Sequence, residues 1–194
     1  MIRVLLLATI FLLPITSYAE LTFEQLKTIT ITPENLDGNF TQEKYLVVLD
    51  TTLDSSGQFN YQRGKTIRWE TLEPIQNELI MTPTEMVNKQ GDHELVRMDT
   101  DANPTISVMS VIFFSVLTAE WETLSEYFQL SGTLDGEEWQ AELVPLDKTI
   151  LQIISRVELK GDSLLHEIVM HENSGNKTTI HFKELKTEMD PHEG

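Results

Sequence analysis

The sequence predicts an α+β protein in which one long antiparallel sheet carries a few helices on one face. The stretch Gly57–Trp69 alternates apolar and polar residues on both sides of a Gly-Lys turn, as a half-buried hairpin does. The last third of the 194-residue chain has strand-like segments separated by short turns, which join antiparallel neighbours. Between these regions, Pro104–Leu117 is apolar on nearly all sides, which is typical of a helix that is buried or covers an apolar cavity.

Residues 1–19 have the features of an export signal. Arg3 provides the positive charge, Val4–Leu13 the apolar segment, and Ser17 and Ala19 the small residues at positions −3 and −1 of a cleavage site. A membrane anchor is the weaker alternative, because the apolar segment is shorter than the ~20 residues that a spanning helix needs. The expected organisation is a signal peptide over residues 1–19, a single domain over residues 20–188 and a polar tail over residues 189–194.

Composition narrows the classes of function. The chain has no cysteine, which excludes thiol nucleophiles, thiolate metal sites and lipid attachment through cysteine. Its formal net charge of −17 repels nucleic acid and anionic membrane surfaces. We therefore expect no nucleic-acid partner, and a docking protein should present a basic patch. The alternative is that the acidic residues only keep the protein soluble and monomeric.

The N-terminal half predicts one short helix followed by strands. Phe23–Ile31 has apolar residues at i, i+3 and i+6, with Thr22 as its N-cap. Ser55-Ser56-Gly57 is interpreted as a turn that leads into the hairpin. The predicted strands of this half are Asn39–Leu49, the two arms of Gly57–Trp69, Pro74–Met81, Glu85–Lys89 and Glu94–Met98, and Thr51–Leu53 is a candidate to pair with the first of them.

The C-terminal half predicts two helices and a run of strands. Asn103 and Pro104 suit the N-cap and first position of the apolar helix. Thr118 is the expected cap of a second short helix that carries Trp121 and Leu124. The predicted strands are Tyr127–Leu134, Glu137–Val144, Ile150–Lys160, Ser163–His171 and Lys177–Lys186.

Several motifs in order along the chain resemble the LolA family of periplasmic carriers, which move lipoproteins to the outer membrane. They are Gly38-Asn39-Phe40-Thr41-Gln42, then Gly57–Arg63, Ile67–Glu70 and Pro74, then Glu142–Pro145, and finally His166–Gly175 with Thr178–Phe182. Together they cover nearly all of residues 20–187. In two places the chain departs from the family pattern: Gly64 stands where the family has proline, and Glu94–Met98 replaces a strand with two aromatics. These departures indicate a divergent branch.

The resemblance implies an incomplete antiparallel barrel with helices as a lid over a hydrophobic cavity. Arg63 matches the family arginine that holds the lid shut through lid backbone carbonyls, and the lid would include Pro104–Leu117 and the helix near Trp121. The alternative for Arg63 is a surface arginine paired with an acidic residue. The expected cavity lining is Phe59, Tyr61, Trp69, Leu79, Met81, Met109, Ile112, Phe113 and Trp121, for each of which ordinary core packing is the alternative.

Catalytic, metal and cofactor sites are not predicted. The chain lacks the Gly-x-Ser-x-Gly, His-Glu-x-x-His and phosphate-loop motifs. His166 and His171 lie five apart on one predicted strand and so point to opposite faces, and His181 is expected opposite Ile168. The other histidines are His93 and His192, and no convergent ligand set is expected.

The resemblance implies a monomeric periplasmic carrier that shields the acyl chains of lipoproteins. Such a carrier receives its acylated cargo from an inner-membrane donor complex and passes it to an outer-membrane acceptor. One alternative is a carrier of a non-lipoprotein lipid or glycolipid that works with a membrane exporter. Another is an envelope sensor that binds acylated proteins; relatives of that kind carry a second domain, for which this chain has no room.

Overall fold

The computed structural model describes residues 20–99 and 112–188 and confirms the predicted α+β fold. Within these ranges, eleven strands form one open, antiparallel sheet with helices packed on it. The predicted signal peptide, the polar tail and most of the predicted apolar helix, including Met109, lie outside the described residues. No helix in the described ranges is long and apolar enough to cross a bilayer.

The strands follow one another in a simple order. In chain order they are β1 (Asn35–Leu46), β2 (Thr51–Gln62), β3 (Thr66–Glu73), β4 (Asn77–Met81), β5 (Glu85–Gln90), β6 (His93–Asp99), β7 (Phe128–Asp135), β8 (Glu138–Pro145), β9 (Ile154–Gly161), β10 (Leu165–Glu172) and β11 (Lys177–Glu188). Their order in the sheet is β6-β5-β4-β3-β2-β1-β11-β10-β9-β8-β7. The first and last strands therefore pair at the centre of the sheet.

The described helices are short. They are α1 (Phe23–Ile29), α2 (Trp121–Tyr127) and α3 (Lys148–Leu151), and residues 112–117 are also helical. Helix α1 begins at the expected N-cap Thr22, and Gln25 completes a capping box: the Thr22 hydroxyl accepts from the Gln25 amide, and the Gln25 side chain accepts from the Thr22 amide. Helix α1 packs against α2, so the two form a layer over one part of the sheet.

Gly57 does not lie in the predicted turn but inside β2, which runs without interruption from Thr51 to Gln62. A Cβ at this position would lie 1.9 Å from the Glu70 carbonyl oxygen and 2.9 Å from the Phe40 ring. Glycine is needed because a neighbouring strand and a ring approach the backbone closely, and the β2–β3 register shifts beside it. The pattern Ser-Ser-Gly therefore marks a bulge, and its interpretation as a turn was wrong.

Two other boundaries differ from the sequence-based expectation. Helix α2 has Glu120, not Thr118, as its N-cap, and no side chain caps its amides. The predicted strand Ile150–Lys160 begins instead with α3, because the Asp147 carboxylate accepts hydrogen bonds from the Thr149 and Ile150 amides and starts a helical turn. The strand itself begins at Ile154.

Candidate ligand-binding cleft

A cleft of about 390 Å³ lies over the centre of the sheet. Eight of the twelve described residues that line it are apolar, and its size falls within the usual range for small-molecule sites. The apolar residues are Trp69, Leu79, Met81, Phe113, Ile153, Ile154, Met170 and Ile180, and the polar ones are Gln42, Lys44, Glu172 and Thr178.

A group of aromatic rings lies at one wall of the cleft, where Trp69 and Phe113 line the open space and the other rings are buried behind them. The Trp69 ring stacks on Phe40 with a centroid distance of 3.8 Å, in the space that the missing side chain of Gly57 leaves open. The Phe113 ring meets the edge of Trp69 at 5.8 Å and covers the cleft from the helical residues 112–117. Phe59 and Phe182 complete the group of rings. We call these five residues the cleft cluster.

The residues that were expected to line a cavity occupy different environments. Trp69, Leu79, Met81 and Phe113 line the cleft. Phe59, Tyr61 and Ile112 are buried in the core and are not among its lining. Trp121 is buried in the helical layer, where its ring meets Trp139 edge to face at 5.6 Å. Met109 lies outside the described residues.

Tyr61 is fully buried on the inner face of β2. Burial, followed by the nearby charge of Glu120, raises the pKa of its hydroxyl to about 12, so the group stays neutral at any physiological pH. The Gly64 backbone lies near enough to lower the pKa slightly, but no described residue meets the hydroxyl with full hydrogen-bond geometry.

Arg63, at the end of β2, binds the connection between α1 and β1. Its Nη2 donates to the Thr32 carbonyl, and its Nε donates to the Pro33 carbonyl at 3.3 Å. Its Nη1 lies 2.9 Å from a carboxylate oxygen of Glu34. The resemblance implies contacts with carbonyls of the lid, whereas the carbonyls that Arg63 contacts among the described residues belong to the segment that follows α1.

The segment that Arg63 binds is tied in turn to α2. The Trp121 indole Nε1 donates to the Thr30 hydroxyl at 2.7 Å. Lys27 and Glu122 form an ion pair between the two helices, and both side chains are largely exposed. Loss of the Arg63 side chain would therefore remove these side-chain contacts between the end of β2 and the segment that leads from α1 to β1.

Charged residues lie at one end of the cleft, which we call the mouth. Lys44 on β1 and Glu172 on β10 both line it, and the Lys44 Nζ lies 3.4 Å from Glu172 Oε1. The Ser174 hydroxyl and the Asn176 side-chain amide each donate to Glu172 Oε2 at 3.0 Å. One oxygen of the carboxylate is thus held by the β10–β11 turn, while the other faces Lys44.

The pKa of Glu172 reflects this environment. Burial raises it, but hydrogen bonds from Asn176 and Ser174 and the charge of Lys44 outweigh burial, so the pKa lies below its ordinary value. Glu172 is therefore ionised at neutral pH. The mouth was not predicted from the sequence, although Phe40, Gln42 and Lys44 follow each other at the two-residue spacing of one strand face.

An exposed apolar tip lies beside the mouth, in the β1–β2 turn. Val48 is 90% exposed and Leu49 is 67% exposed. The Val47 amide donates to the Asn176 side chain at 3.1 Å, which places the tip against the turn that holds Glu172. We call Val47, Val48 and Leu49 the apolar tip.

Three histidines pair with carboxylates on β9, β10 and the turn between them. His166 lies 3.0 Å from Asp162, His171 lies 2.7 Å from Glu158, and His181 lies 3.2 Å from Glu167. In the register, His181 lies opposite Glu167, one residue from the predicted partner Ile168. Among the described residues, no group of three or more potential metal ligands comes together.

Comparison with known proteins places these features in a family. The family model for outer membrane lipoprotein carrier protein LolA matches residues 32–193. No curated protein matches the chain significantly.

The solved structures that resemble this chain share little sequence with it. A LolA superfamily protein from Nitrosomonas europaea has 10% identity over 87% of this chain and 93% of its own, with a TM-score of 0.46. MucB in its complex with MucA from Pseudomonas aeruginosa has 16% identity over 83% of this chain and 54% of its own, with a TM-score of 0.47. A DUF1329 family protein from Desulfovibrio piger has 11% identity over 86% of this chain and 89% of its own, with a TM-score of 0.43.

Proposed function

The chain belongs to the LolA family. We propose that it is a periplasmic carrier that holds the acyl chains of lipoproteins in its central cleft while they move from the inner to the outer membrane. The observation that carries this proposal is the apolar lining of the cleft together with the family match. Trp69, Met81 and Met170 offer flat and adaptable surfaces, which suit a flexible hydrocarbon chain.

The energetics of burial fit a carrier. Each buried methylene contributes about 0.8 kcal/mol. Ten methylenes in the cleft would contribute roughly 8 kcal/mol, which alone would correspond to a micromolar dissociation constant, and the costs of association make the affinity weaker than that. Such an affinity keeps an acyl chain out of water and still permits release to an acceptor.

Arg63 is the proposed latch for release. Its contacts with the Thr32 and Pro33 carbonyls and with Glu34 hold the helical layer in the closed arrangement. If the closed arrangement is the empty one, these contacts favour the state without cargo, and a small difference in affinity shifts the population. The latch thereby balances loading against release.

The direct test of the cleft is titration with a fluorescent fatty acid. We expect saturable binding that an unlabelled fatty acid displaces. Absence of uptake under conditions where the protein is folded would contradict the carrier proposal.

The latch is tested by Arg63→Leu, which we expect to slow release of the bound probe to acceptor vesicles roughly tenfold, because charged hydrogen bonds contribute about 1.5 to 3 kcal/mol each. Arg68→Leu is the matched control, since Arg68 lies on the same hairpin but pairs with Glu78 away from the cleft. Normal release by Arg63→Leu would remove the latch and leave the carrier intact.

A genetic experiment distinguishes lipoprotein cargo from a free lipid or glycolipid. Deletion of the gene, followed by localisation of outer-membrane lipoproteins, should misplace them if lipoprotein is the cargo. Intact sorting would favour a free lipid or glycolipid delivered by a membrane exporter. Recovery of one stable protein partner, with no bound lipid, would instead favour an envelope sensor.

A further inference from the structure

We propose that the mouth of the cleft recognises a zwitterionic aminophospholipid head, with its phosphate beside Lys44 and its ammonium beside Glu172. This inference rests on the proposed function, because it assigns the polar head of a molecule whose acyl chain occupies the cleft. It favours a free phospholipid as a cargo of the same site.

The two charged groups lie where a head group would be when the chain is buried. Lys44 and Glu172 are the charged residues among the described lining of the cleft, and the rest of the lining is apolar apart from Gln42 and Thr178. In the register, Lys44 lies opposite Thr178, and Thr178 lies opposite Met170, two residues before Glu172. The charges thus lie on both sides of β11 at the same end of the apolar surface.

The Glu172 carboxylate is held ready for a second cation. Its Oε2 accepts from both Ser174 and Asn176, so the side chain is fixed by the turn. Its Oε1 faces Lys44 at 3.4 Å, which is longer than the 2.7–2.9 Å typical of a charged hydrogen bond. An ammonium group can therefore approach Oε1 without breaking the contacts that orient the carboxylate.

The Lys44 ammonium can move to bind an anion. Its side chain is 40% exposed, against 24% for Glu172, and four methylenes allow its ammonium to move. When a phosphate binds Lys44 and an ammonium binds Glu172, the ion pair is replaced by two ion pairs. Neither protein charge is then left without a partner in a partly desolvated site.

Charge complementarity favours a zwitterion over an anion. A purely anionic head would meet the Glu172 carboxylate next to Lys44 and would approach a chain with a net charge of −17. A purely cationic head would meet Lys44. A phosphoethanolamine head carries both charges a few atoms apart and is neutral overall, so it satisfies both residues without a long-range penalty.

The test compares single-chain lipids that differ only in their heads. Lysophosphatidylethanolamine, lysophosphatidylglycerol and the matching fatty alcohol are each used to displace the fluorescent fatty acid. We expect the wild-type protein to prefer the ethanolamine lipid over the glycerol lipid roughly fivefold, the size of a partly exposed ion pair. The fatty alcohol reports the cleft alone.

Two variants assign the preference to the mouth. Glu172→Gln should remove most of the preference, because the ammonium loses its partner and the glycerol lipid no longer meets a like charge, and only the weak effect of the net charge remains. Lys44→Met should weaken both phospholipids and leave the fatty alcohol unchanged. The double variant Lys160→Ala/Glu167→Gln removes charges on β9 and β10 that do not line the cleft, including the partner of His181, and serves as the control that should keep the wild-type preference.

The outcomes separate this inference from the proposed function. Displacement by the fatty alcohol with equal affinity for both phospholipids would overturn the head-group site and leave the carrier standing. A preference of undiminished size in Glu172→Gln would also overturn it. If none of the three ligands displaces the probe or binds, the carrier proposal itself fails.

Discussion

Two groups of aromatic residues in this molecule are held in different ways. Trp121 and Trp139, which we call the anchored pair, each donate an indole hydrogen bond, to the Thr30 hydroxyl and to the Asp162 carbonyl at 2.6 Å. The cleft cluster is held chiefly by ring against ring, and two of its rings, Trp69 and Phe113, face the open cleft. A hydrogen bond fixes the position of a ring, whereas stacking contacts permit it to adjust.

We infer from this difference that the anchored pair contributes mainly to stability and the cleft cluster mainly to ligand binding. The anchored pair joins the helical layer to β8 and to the β9–β10 turn, and both rings are almost fully buried. The cleft cluster lies over β1, β2, β3 and β11, where the sheet has polar residues on the same face farther along. We therefore expect substitutions in the two regions to affect different measurements.

The largest expected effect is on stability, at the anchored pair. Trp139→Ala should lower the free energy of unfolding by about 3–5 kcal/mol, because it leaves a large cavity and removes the partner of the Asp162 carbonyl. Leu79→Ala in the cleft wall should cost less than about 2 kcal/mol, since Leu79 already faces open space. Urea unfolding of both variants measures the difference. Equal losses would show that the two regions are packed alike.

The next effect is on binding, at the cleft. Leu79→Trp should fill part of the space and lower the affinity for the fluorescent fatty acid by tenfold or more, with little loss of stability. Leu134→Trp is the matched control: Leu134 is partly buried against the core on β7, opposite Trp139, and does not line the cleft. Unchanged affinity in Leu79→Trp would place the acyl chain elsewhere.

A smaller effect is expected at the apolar tip beside the mouth. Val48→Ser/Leu49→Ser should slow transfer of the probe to acceptor vesicles about fivefold, because less apolar surface can contact the acceptor. The equilibrium affinity should stay unchanged. Leu95→Ser/Val96→Ser on β6 removes two apolar residues that are 54% and 43% exposed, far along the sheet, and controls for the loss of exposed apolar side chains in general. Equal slowing by both variants would argue against a role of the tip.

The smallest effect is expected at Tyr61. Its buried hydroxyl has no well-formed hydrogen bond among the described residues, so Tyr61→Phe should leave stability unchanged or raise it by up to about 1 kcal/mol. Thermal unfolding of the variant gives the measurement. A loss of more than 1 kcal/mol would reveal a hydrogen bond that the hydroxyl makes in solution.

Local patterns predicted the elements well where a single chemical signal decides. The capping box at Thr22 and Gln25 marks the start of α1, and the left-handed backbone of Gly64 (φ 63°) lies in the predicted hairpin turn. The hairpin register places Phe59 opposite Trp69, as alternation requires. These features depend on a few neighbouring residues, so the sequence alone contains them.

Long-range contacts account for what the sequence did not show. Gly57 was predicted to lie in a turn. Glycine is needed there because Glu70 and Phe40 approach its backbone, and both residues lie on other strands. Lys44 and Glu172 lie 128 positions apart and meet only because β1 and β10 both flank β11. Arg63 was expected to bind backbone carbonyls of a lid that includes Pro104–Leu117 and the helix near Trp121. Its partners among the described residues lie in the connection after α1, which reaches Trp121 through Thr30.

The central claim is that the cleft holds an acyl chain, and native mass spectrometry of the exported protein tests it most directly. The account predicts a population of the protein with the added mass of a lipid or acylated peptide, which dissociates on activation and is reduced in Leu79→Trp. A protein that is recovered only without added mass, from cells and after incubation with lipid, would contradict it.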